Sequence, residues 1–451
     1  MSYEPPSRDE LESLSRRILA MSKAGACRVA IEASRHSNTR FAVGEITTAG
    51  ATTDTELTIT STIGRRRASS TTNVIDDASL GRTVELSERI ARLSPEDPEI
   101  MPELGPQQYA GVDGWGSTSA ALDPEGRVQA ARRVIDAPDV KTAALVPAGF
   151  IEVTARARSI ATSSGLFAYH RATEAQMSTT VRTPDGTGSG WASDGSREWS
   201  EVDAAALGAR AARKAVASQN PVAIEPGPYT VIIEPQAVAD LIPILMRSFD
   251  AREADEGRSP FARKEGGNRI GEKVADDRVS IWSDPSDPEL RVQPFDGEGL
   301  PVGRTVWIEN GVLKNLAYSR FWAQKHGKTP TPSPGGFGGE PAGGLRMGGG
   351  TKTVDELVAG TARGILVTHF FYIRYLDPRT VLLTGLTRDG TFLVEDGKIV
   401  RPIKNLRWNE SPLFMLGKIE DIGRAERTSK GVVLPAIKAR EFTFTSISDA
   451  V

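Results

Sequence analysis

Carboxylate side chains are concentrated in the segment LMRSFDAREADEGRSPF, residues 245–261. Asp250 and Glu253 are three residues apart, a spacing that puts both on one face if the segment is helical. Such a pair could hold a hard cation such as Mg²⁺ or Ca²⁺. The segment also carries three cations that could pair with the carboxylates, Arg247, Arg252 and Arg258. We favour ion pairs over a metal site, because solvated helix faces commonly carry opposite charges at this spacing.

The four histidines are far apart in the sequence, at His36, His170, His326 and His369. None has another His, a Cys or a paired carboxylate at the spacing of metal ligands. A lone histidine in a strand or turn is usually a satisfied polar group, and we interpret all four in this way. His369 follows Val367-Thr368 and precedes Phe370-Phe371-Tyr372 in an apolar strand pattern. It is the histidine we would test first for a chemical role.

A stretch rich in glycine and proline, GKTPTPSPGGFGGEPAGGLRMGGG, occupies residues 327–350 and is followed by Thr351-Lys352-Thr353. A phosphate-binding loop of the Walker type needs Lys and then Ser or Thr directly after its last Gly, and here Thr351 intervenes. Thr353 and Glu356 instead match a helix capping box, which needs no ligand. The stretch is too long for a simple connector, so we predict a mobile flap near a cleft.

The overall composition is that of a globular protein. The chain has 451 residues, of which 39% are hydrophobic and 25% charged, enough for two or three domains with their own cores. A formal net charge of -3 argues against a nucleic-acid-binding protein. The sequence has neither a secretory h-region nor a run of about 18 apolar residues, which argues against export and against a membrane protein. Cys27 is the only cysteine, and we predict a reducing, cytoplasmic location.

Hydrophobic periodicity divides the first half of the chain into helices and strands. Helical spacing is found at 8–24, after Asp76-Asp77, near 117–136 and at 201–219. Other segments alternate as strands, with Ser37-Asn38 as the turn of a first hairpin and a series of antiparallel strands over 142–191. We predict an α+β layer in which helices cover an antiparallel sheet.

We place a domain boundary near residue 224, which divides the chain into 1–224 and 225–451. The second part opens with the strand YTVIIEP, and Pro235 then begins the helix that contains residues 245–256. Asn310-Gly311 and Asp396-Gly397 are signals for two-residue hairpin turns. We therefore predict a mainly β domain, a sheet or a barrel-like structure with the helix packed on it.

Several sequence blocks of the second part occur in an order found in a known family. They are Glu253-Ala254-Asp255 with Gly257 and Arg258-Ser259-Pro260-Phe261, FDGEGLPV at 295–302, GGLRMGGGTKTVDEL at 343–357 and FLVEDGKIVRPIKNL at 392–406. On these blocks the chain resembles the TldD/PmbA family over most of residues 225–425.

The catalytic branch of that family carries an HExxxH motif. In motifs of this kind the imidazoles bind one zinc ion and the Glu moves the proton of a water molecule. By the resemblance, the two His positions fall on Leu245 and Asp250, and the Glu position falls on Met246. The family's third ligand, a Cys late in the chain, has no counterpart, since Cys27 is the only cysteine. The resemblance therefore implies a degenerate motif, no cofactor in this chain, and the TldE/PmbA-like branch of the family.

The first hypothesis is a non-catalytic subunit of a peptidase complex. The resemblance implies a TldD-like partner subunit that carries the zinc, a cleft between the subunits, and unfolded or precursor peptides as substrates. An extended peptide could add to an exposed strand edge. We expect the helix at 245–256 to contact the partner. The candidate cleft or partner contacts are Arg247, Glu253, Asp255, Arg258, Asp296, Glu298 and His369.

Two other hypotheses stay open. The chain could be a catalytically inert homodimer that binds peptides as a scaffold, since homodimers are the commonest soluble oligomers. It could also be an independent hydrolase whose site is rebuilt from Asp250, Glu253 and the stretch at 327–350. In that case a bound metal would depend on Asp250.

Overall fold

The computed structural model of the protein describes residues 3–290, 293–331 and 344–448. Two sheets, each accompanied by helices, make up the architecture, and the predicted α+β class is confirmed. The predicted boundary near residue 224 lies between a helix that ends at Ala217 and a strand that begins at Pro228. The ranges 1–224 and 225–451 stay a prediction for the extent of the domains.

The first sheet is built from β1 (Ala26–Ala42), β2 (Glu45–Ile63), β3 (Arg66–Thr72), β4 (Val146–Thr162), β5 (Phe167–Arg182) and β6 (Ser189–Ser196). Their order is β3-β2-β1-β4-β5-β6, and every neighbouring pair is antiparallel. Cys27, Val29 and Ile31 are buried at alternate positions of β1, because successive side chains of a strand point to opposite faces. This alternation is the pattern that predicted the sheet.

The first hairpin differs from its prediction. Ser37-Asn38 is not a turn, since Asn38 pairs with Gly50 on β2 and with Glu152 on β4 in the middle of the ladder. The chain reverses instead at Val43-Gly44, where φ is 52° and 77°. Positive φ at both central residues matches the twist of a two-residue hairpin. A strand paired on both sides has thus overridden the local turn preference of Ser and Asn.

Helices cover one face of this sheet: α1 (Arg8–Met21), α2 (Asp77–Leu93), α3 (Ser117–Ala120), α4 (Pro124–Ile135), α5 (Pro138–Thr142) and α6 (Ala204–Ala217). Asp76 caps α2 by accepting a hydrogen bond from the backbone N–H of Ser79. The helix predicted near 117–136 is two helices, because Asp123 caps a new one and Pro124 has no N–H to continue the old one. Apolar side chains of α1, α2, α4 and α6 pack against the sheet.

Thirteen strands form the second sheet: β7 (Pro228–Ile233), β8 (Ile281–Ser283), β9 (Thr305–Glu309), β10 (Val312–Leu313), β11 (Arg346–Met347), β12 (Arg363–Val367), β13 (Phe370–Asp377), β14 (Leu382–Thr387), β15 (Thr391–Glu395), β16 (Lys398–Pro402), β17 (Leu406–Glu410), β18 (Ile419–Arg427) and β19 (Val433–Ile447). The main path is β10-β9-β8-β11-β19-β7-β12-β15-β16, and β19 also pairs with β17 and β18. The path starts and ends at edge strands, so this part of the structure is an open sheet and not a closed barrel.

The turns of the second sheet follow the sequence signals. Asn310-Gly311 joins β9 to β10 and Asp396-Gly397 joins β15 to β16, with positive φ at all four residues. The helices are α7 (Pro235–Met246), α8 (Ala251–Asp255), α9 (Arg320–His326), α10 (Val354–Ala359) and α11 (Pro412–Leu416). Across the described residues, no helix has both the length and the apolar character that crossing a membrane requires.

Polar and apolar contacts join the two sheets. Arg427 on β18 donates to Asp194 on β6 (Nη2–Oδ2, 3.1 Å) and to Glu201 (Nη1–Oε2, 2.5 Å). Lys214 on α6 pairs with Glu234 at 2.6 Å, just before α7. Phe295 packs with Leu166 on the face of the first sheet that the helices leave open. Residues of both halves can therefore line one site.

Candidate functional site

The helix α7 carries the first two positions of the degenerate motif. Pro235 begins the helix, and most of its residues are buried in an apolar cluster. Leu245 and Met246 are inside this cluster, which also contains Phe249 and Trp307. Both side chains therefore belong to the core of the second half, with exposures of 0% and 2%.

The predicted continuous helix at 245–256 is interrupted. α7 ends at Met246 and α8 begins at Ala251. The intervening backbone is held by Ala317, which donates to the carbonyl of Phe249 at 2.7 Å and accepts from the N–H of Ala251 at 3.0 Å. Asp250 is the N-cap of α8, and its carboxylate accepts from the N–H of Glu253 at 2.8 Å. Asp250 and Glu253 are thus the N-cap and the third residue of the short helix α8, and not part of one continuous helix over 245–256.

The other charged groups of this segment form ion pairs, as the sequence favoured. Arg258 contacts Glu253 at 3.0 Å and Glu256 at 2.7 Å. Arg252 contacts Glu256 at 2.9 Å and reaches Glu99 of the first half at 2.7 Å. Hydrogen bonds from Arg252 and Arg258 hold the pKa of Glu256 below its usual value. These groups are solvent-exposed, so the pairs orient α8 more than they stabilise the fold.

Asp255 has a different role within the segment. Its two carboxylate oxygens accept hydrogen bonds from the amide of Asn268 and from the indole N–H of Trp322, each at 2.7 Å. Trp322 lies on α9, so Asp255 connects α8 to that helix. The side chain is therefore committed to contacts within this chain.

The residues at the three motif positions do not fit a zinc ion. Leu245 has no donor atom, and Met246 offers only a thioether, a soft and weak ligand, inside the core. Asp250 is the one oxygen donor of the three, and one of its oxygens caps α8. Among the residues that the structure describes, no cluster of three or more His, Cys, Asp or Glu side chains has the arrangement of a metal site.

Asp296 and Glu298 lie at the junction of the two halves. The Oδ1 atom of Asp296 accepts from the N–H groups of Glu298 and Leu300, both at 2.9 Å. Burial raises the pKa of Asp296 despite these two hydrogen bonds. Glu298 is 3.9 Å from the guanidinium groups of Arg28 on β1 and of Arg320 on α9. Asp296 therefore shapes a turn, and Glu298 adds to the charges between the halves.

His369 has partners that the sequence did not reveal. Its Nδ1 is 3.0 Å from Oδ2 of Asp389, and its ring stacks on Trp191 with centroids 4.1 Å apart and planes 6° from parallel. Asp389 lies between β14 and β15, and Trp191 belongs to β6 of the other sheet. Burial would raise the pKa of Asp389, but hydrogen bonds from His369 and Ser189 outweigh it and hold the pKa below its usual value. In the sequence, Arg388-Asp389-Gly390 resembles an ordinary turn. No local pattern therefore indicates that Asp389 is the partner of His369.

The other histidines match their simpler interpretation. His36 shares a hydrogen bond of 2.9 Å with Thr154 on the neighbouring strand. His326 packs on Trp322 at the end of α9, with ring centroids 4.6 Å apart. His170 is buried on β5. His369 differs from them because its partner is a buried carboxylate.

The strand β13 connects several predicted contact residues. At one end the N–H of Phe370, next to His369, donates to Asp240 of α7 at 3.3 Å. Further along, the hydroxyl of Tyr375 donates to the carbonyl of Ile244 at 3.4 Å. Burial raises the pKa of the Tyr375 hydroxyl, and the nearby charges of Arg247 and Glu253 affect this pKa in opposite directions, so both groups lie near this end of the strand. His369 and the α7–α8 segment therefore lie at two ends of one strand.

This strand is unusually apolar for an exposed element. Four large side chains of β13 are exposed, namely Phe371, Tyr372, Tyr375 and Leu376. Within the described part of the chain β13 pairs only with β14, so its other edge offers backbone donors and acceptors. Exposed aromatic residues on an edge strand are typical of a binding surface.

The stretch at 327–350 is described only at its two ends, and the predicted flap falls mainly on residues 332–343, outside the described residues. Thr353 and Glu356 form the predicted capping box, with Oγ1 of Thr353 accepting from the N–H of Glu356 at 3.2 Å. Lys352 pairs with Asp421 at 2.5 Å. The lysine that suggested a phosphate loop is thus paired with a carboxylate of this chain.

Two models of one known protein family match most of the chain. Residues 226–446 match the model of the PmbA/TldA metallopeptidase C-terminal domain, and residues 117–219 match that of the central domain of the same family. A metalloprotease of Methanothermobacter thermautotrophicus is 27% identical over 236 residues, which are 50% of this chain and 49% of the relative. A TldD homologue of Buchnera aphidicola, also described as a metalloprotease, is 28% identical over 176 residues, 37% of this chain and 35% of the relative. The chain thus spans about half or less of the curated relatives it matches.

Solved structures share the fold over nearly the whole chain. A proposed modulator of a DNA gyrase from Thermotoga maritima superposes with a TM-score of 0.85 at 19% identity and covers 96% of this chain and 100% of its own. TldE from Thermococcus kodakarensis superposes with a TM-score of 0.84, also at 19% identity, over 96% and 99% of the two chains. At this identity the likeness concerns the fold.

Proposed function

The chain belongs to the PmbA/TldD metallopeptidase family, and we propose that it is a TldE-like subunit without hydrolytic activity of its own. In this proposal a TldD-like partner holds the zinc ion, and the complex cleaves unfolded or precursor peptides in the cytoplasm. The family resemblance inferred from the sequence blocks is confirmed. The role of this chain in a complex is what we propose.

One observation carries the proposal. At the positions where the catalytic branch has its first His and its Glu, this chain has Leu245 and Met246, both packed into the apolar core. At the third position, Asp250 caps α8 with its carboxylate. Zinc-dependent hydrolysis needs ligands around an accessible metal and a base for the water proton, and these residues provide neither.

The surface along β13 supports a partner at this place. Leu376 and Tyr372 are 51% and 59% exposed, and Arg247 is exposed at the end of α7. An apolar and aromatic surface with cations near it has the composition of a protein interface. The unpaired edge of β13 could also receive an extended peptide through main-chain hydrogen bonds, which would give affinity with little sequence preference.

Co-expression with a family member that carries HExxxH tests the proposal. We expect a stable one-to-one complex on size-exclusion chromatography that cleaves β-casein, an unfolded protein, in a reaction that chelators abolish. The isolated, zinc-loaded chain should leave the same substrate intact. Cleavage by the isolated chain that a chelator abolishes would contradict the proposal.

A matched pair of variants tests the surface. Leu376→Glu puts a charge on β13 and should abolish co-elution with the partner. Leu93→Glu changes an equally large side chain that is 80% exposed at the end of α2, and should leave the complex intact. Equal behaviour of the two variants would exclude β13 as the contact surface.

The inert homodimer is the second candidate, and the same exposed edge of β13 favours it. An edge strand can pair with its copy in a second molecule as readily as with a relative. If the chain stays a homodimer during co-expression and binds casein without cleaving it, the scaffold hypothesis is the better one. An independent hydrolase has less support, since Asp250 and Glu253 are already engaged with the N–H group of residue 253 and with Arg258.

A further inference from the structure

A cavity of about 410 Å³ lies between the two sheets, beside His369. One wall comes from the first sheet and includes Val146 on β4 and Trp191 on β6. The opposite wall comes from the second half and includes Phe371 on β13 and Arg388. Its volume falls within the range of about 300–1,000 Å³ that is usual for small-molecule sites. Through Phe371 it borders β13, the strand on which the proposed function places the peptide.

His369 is held rigidly in this cavity. Asp389 accepts from the hydroxyl of Ser189 at Oδ1 (2.6 Å) and is bonded to Nδ1 of His369 at Oδ2 (3.0 Å). A carboxylate only accepts hydrogen bonds, so Nδ1 carries a proton and Nε2 is the nitrogen left for a ligand. The parallel ring of Trp191 fixes the plane of the imidazole. Because Ser189 bonds to the carboxylate and not to the imidazole, the arrangement orients a binding group and does not activate a serine.

Two residues that line the cavity have a strained backbone conformation. Val43 at its rim has φ of 52° and is 77% exposed, and Asp389 has φ of 55°. Tyr372, next to Phe371, also has a positive φ of 57°. A β-branched residue such as Val is rare in this conformation, and strained residues often mark sites of function.

Charge and polarity restrict what the cavity can take. Two arginines, Arg182 and Arg388, line it together with a single carboxylate, that of Asp389. This carboxylate is only 4% exposed, is bonded to His369 and Ser189, and has the Nε atom of Arg388 4.0 Å from its Oδ2. The guanidinium carbon of Arg388 is 4.2 Å from the ring centre of Phe371. The remaining walls are largely apolar. The lining therefore suits an anion that is attached to an apolar group.

We propose that this cavity binds a carboxylate that carries an apolar side group, and that the C-terminal residue of a peptide is its natural form. The guanidinium groups of Arg182 and Arg388 would face the carboxylate, while Trp191, Phe371 and Val43 would surround the side chain. The proposal that a carboxylate binds here is argued from the residues of the cavity. The proposal that this carboxylate belongs to a peptide rests on the proposed function.

Calorimetric titration of the isolated full-length chain with three probes tests the site. The probes are N-acetyl-Ala-Ala-Phe with a free C-terminus, the same peptide with a C-terminal amide, and N-acetylphenylalanine. We expect the free acid to bind at least tenfold more tightly than the amide, because the amide lacks the charge, and more tightly than N-acetylphenylalanine. Equal affinity of acid and amide, or no saturable binding of the acid, would overturn the site. Tighter binding of N-acetylphenylalanine than of the peptide acid would overturn the peptide assignment.

Three variants place the binding in this cavity. Arg388→Gln should weaken binding of the peptide acid at least tenfold. Val43→Asn removes an apolar side chain but keeps a residue that favours positive φ, so binding should weaken several-fold without a lower melting temperature. His36→Gln is the control, since His36 bonds to Thr154 away from the lining residues. Unchanged affinity in both Arg388→Gln and Val43→Asn would overturn the assignment. The titration needs no partner subunit, so its failure and that of the co-expression test are distinguishable.

Discussion

The carboxylate of Asp250 accepts a hydrogen bond of 2.8 Å from the backbone N–H of Glu253 and thereby starts a new helix. The flanking residues resemble those of the family, and this resemblance implies that the catalytic branch has a zinc ligand at this position. The same side chain thus serves a local structural role, and the preceding helix ends four residues earlier at Met246. The helix α7 therefore carries only the first two motif positions, and the third lies at the start of α8.

The helix cap at Asp250 predicts an order of stability among the wild type, Asp250→Asn and Asp250→Ala. Asp250→Ala should lower the free energy of unfolding by about 1 kcal/mol, because the N–H of Glu253 loses its acceptor. Asp250→Asn should retain most of the stability, since its amide oxygen can accept the same hydrogen bond. Urea denaturation measures both variants. If Asp250→Ala instead removes a stoichiometric metal ion from the purified protein, the independent hydrolase becomes the better hypothesis.

Leu245 and Arg247 are two residues apart and should respond in opposite ways. Leu245→Ala leaves a cavity in a fully buried cluster and should cost about 2–5 kcal/mol of unfolding free energy. Arg247→Ala changes an exposed residue and should stay within about 0.5 kcal/mol. Restoring the family residue with Leu245→His should also destabilise, because an imidazole would be buried in an apolar cluster. A tolerated Leu245→His would contradict the placement of this side chain.

Asp296 should make stability depend on pH in an unusual direction. The pKa of Asp296 is raised in the folded state. The contribution of this carboxyl to the free energy of unfolding is therefore most favourable below pH of about 4, and it declines as the pH rises through the raised pKa. Asp296→Asn removes the charge and keeps the acceptor for Glu298 and Leu300. We therefore expect Asp296→Asn to be more stable than the wild type at pH 7, with the difference shrinking as pH falls toward 4.

Urea denaturation of the Asp296 variant across this pH range checks the prediction. Asp277→Asn is the control, because Asp277 is 77% exposed, pairs with Lys273 on the surface and should show no comparable trend. A loss of stability in Asp296→Asn at pH 7 would mean that the attraction of Arg28 outweighs burial.

The hairpin at Val43 predicts a stabilising surface substitution. Val43-Gly44 has positive φ at both residues, which is costly for Val and favourable for Asn. Val43→Asn should raise the free energy of unfolding by about 1 kcal/mol through relief of this strain. Val43→Ala is the comparison, since it removes the same apolar surface without the preference of Asn. Thermal and urea denaturation should place Asn above Ala in stability.

Arg427 tests the contact between the sheets. It bonds to Asp194 and Glu201 with a side chain that is 22% exposed. Arg427→Ala should cost about 1–3 kcal/mol, because Asp194 and Glu201 lose a charged hydrogen-bond donor. Arg427→Lys keeps the charge but cannot reproduce both branches of the guanidinium, so an intermediate loss is expected. Limited proteolysis near residue 224 should speed up in the same order if this contact holds the halves together.

The sequence alone determined the features that depend on neighbouring residues. The alternation of Cys27, Val29 and Ile31 predicted a strand, the Thr353–Glu356 pair predicted a helix start, and Asn310-Gly311 predicted a hairpin. The ordered blocks between Glu253 and Leu406 indicated the family. Each of these signals is local, because capping, turn geometry and strand alternation involve residues only a few positions apart.

The tertiary structure decided the features that depend on distant residues. Asn38 lies within a strand because β2 and β4 pair with it on both sides, and α7 ends early because Ala317 pairs with the backbone around Asp250. His369 meets Asp389 and Trp191 only where the two sheets come together. No local sequence pattern predicts these contacts, since packing between the two sheets brings the side chains together. Through its family resemblance the sequence therefore implied that the zinc ligands are replaced, and the fold showed that His369 lines a cavity between the sheets.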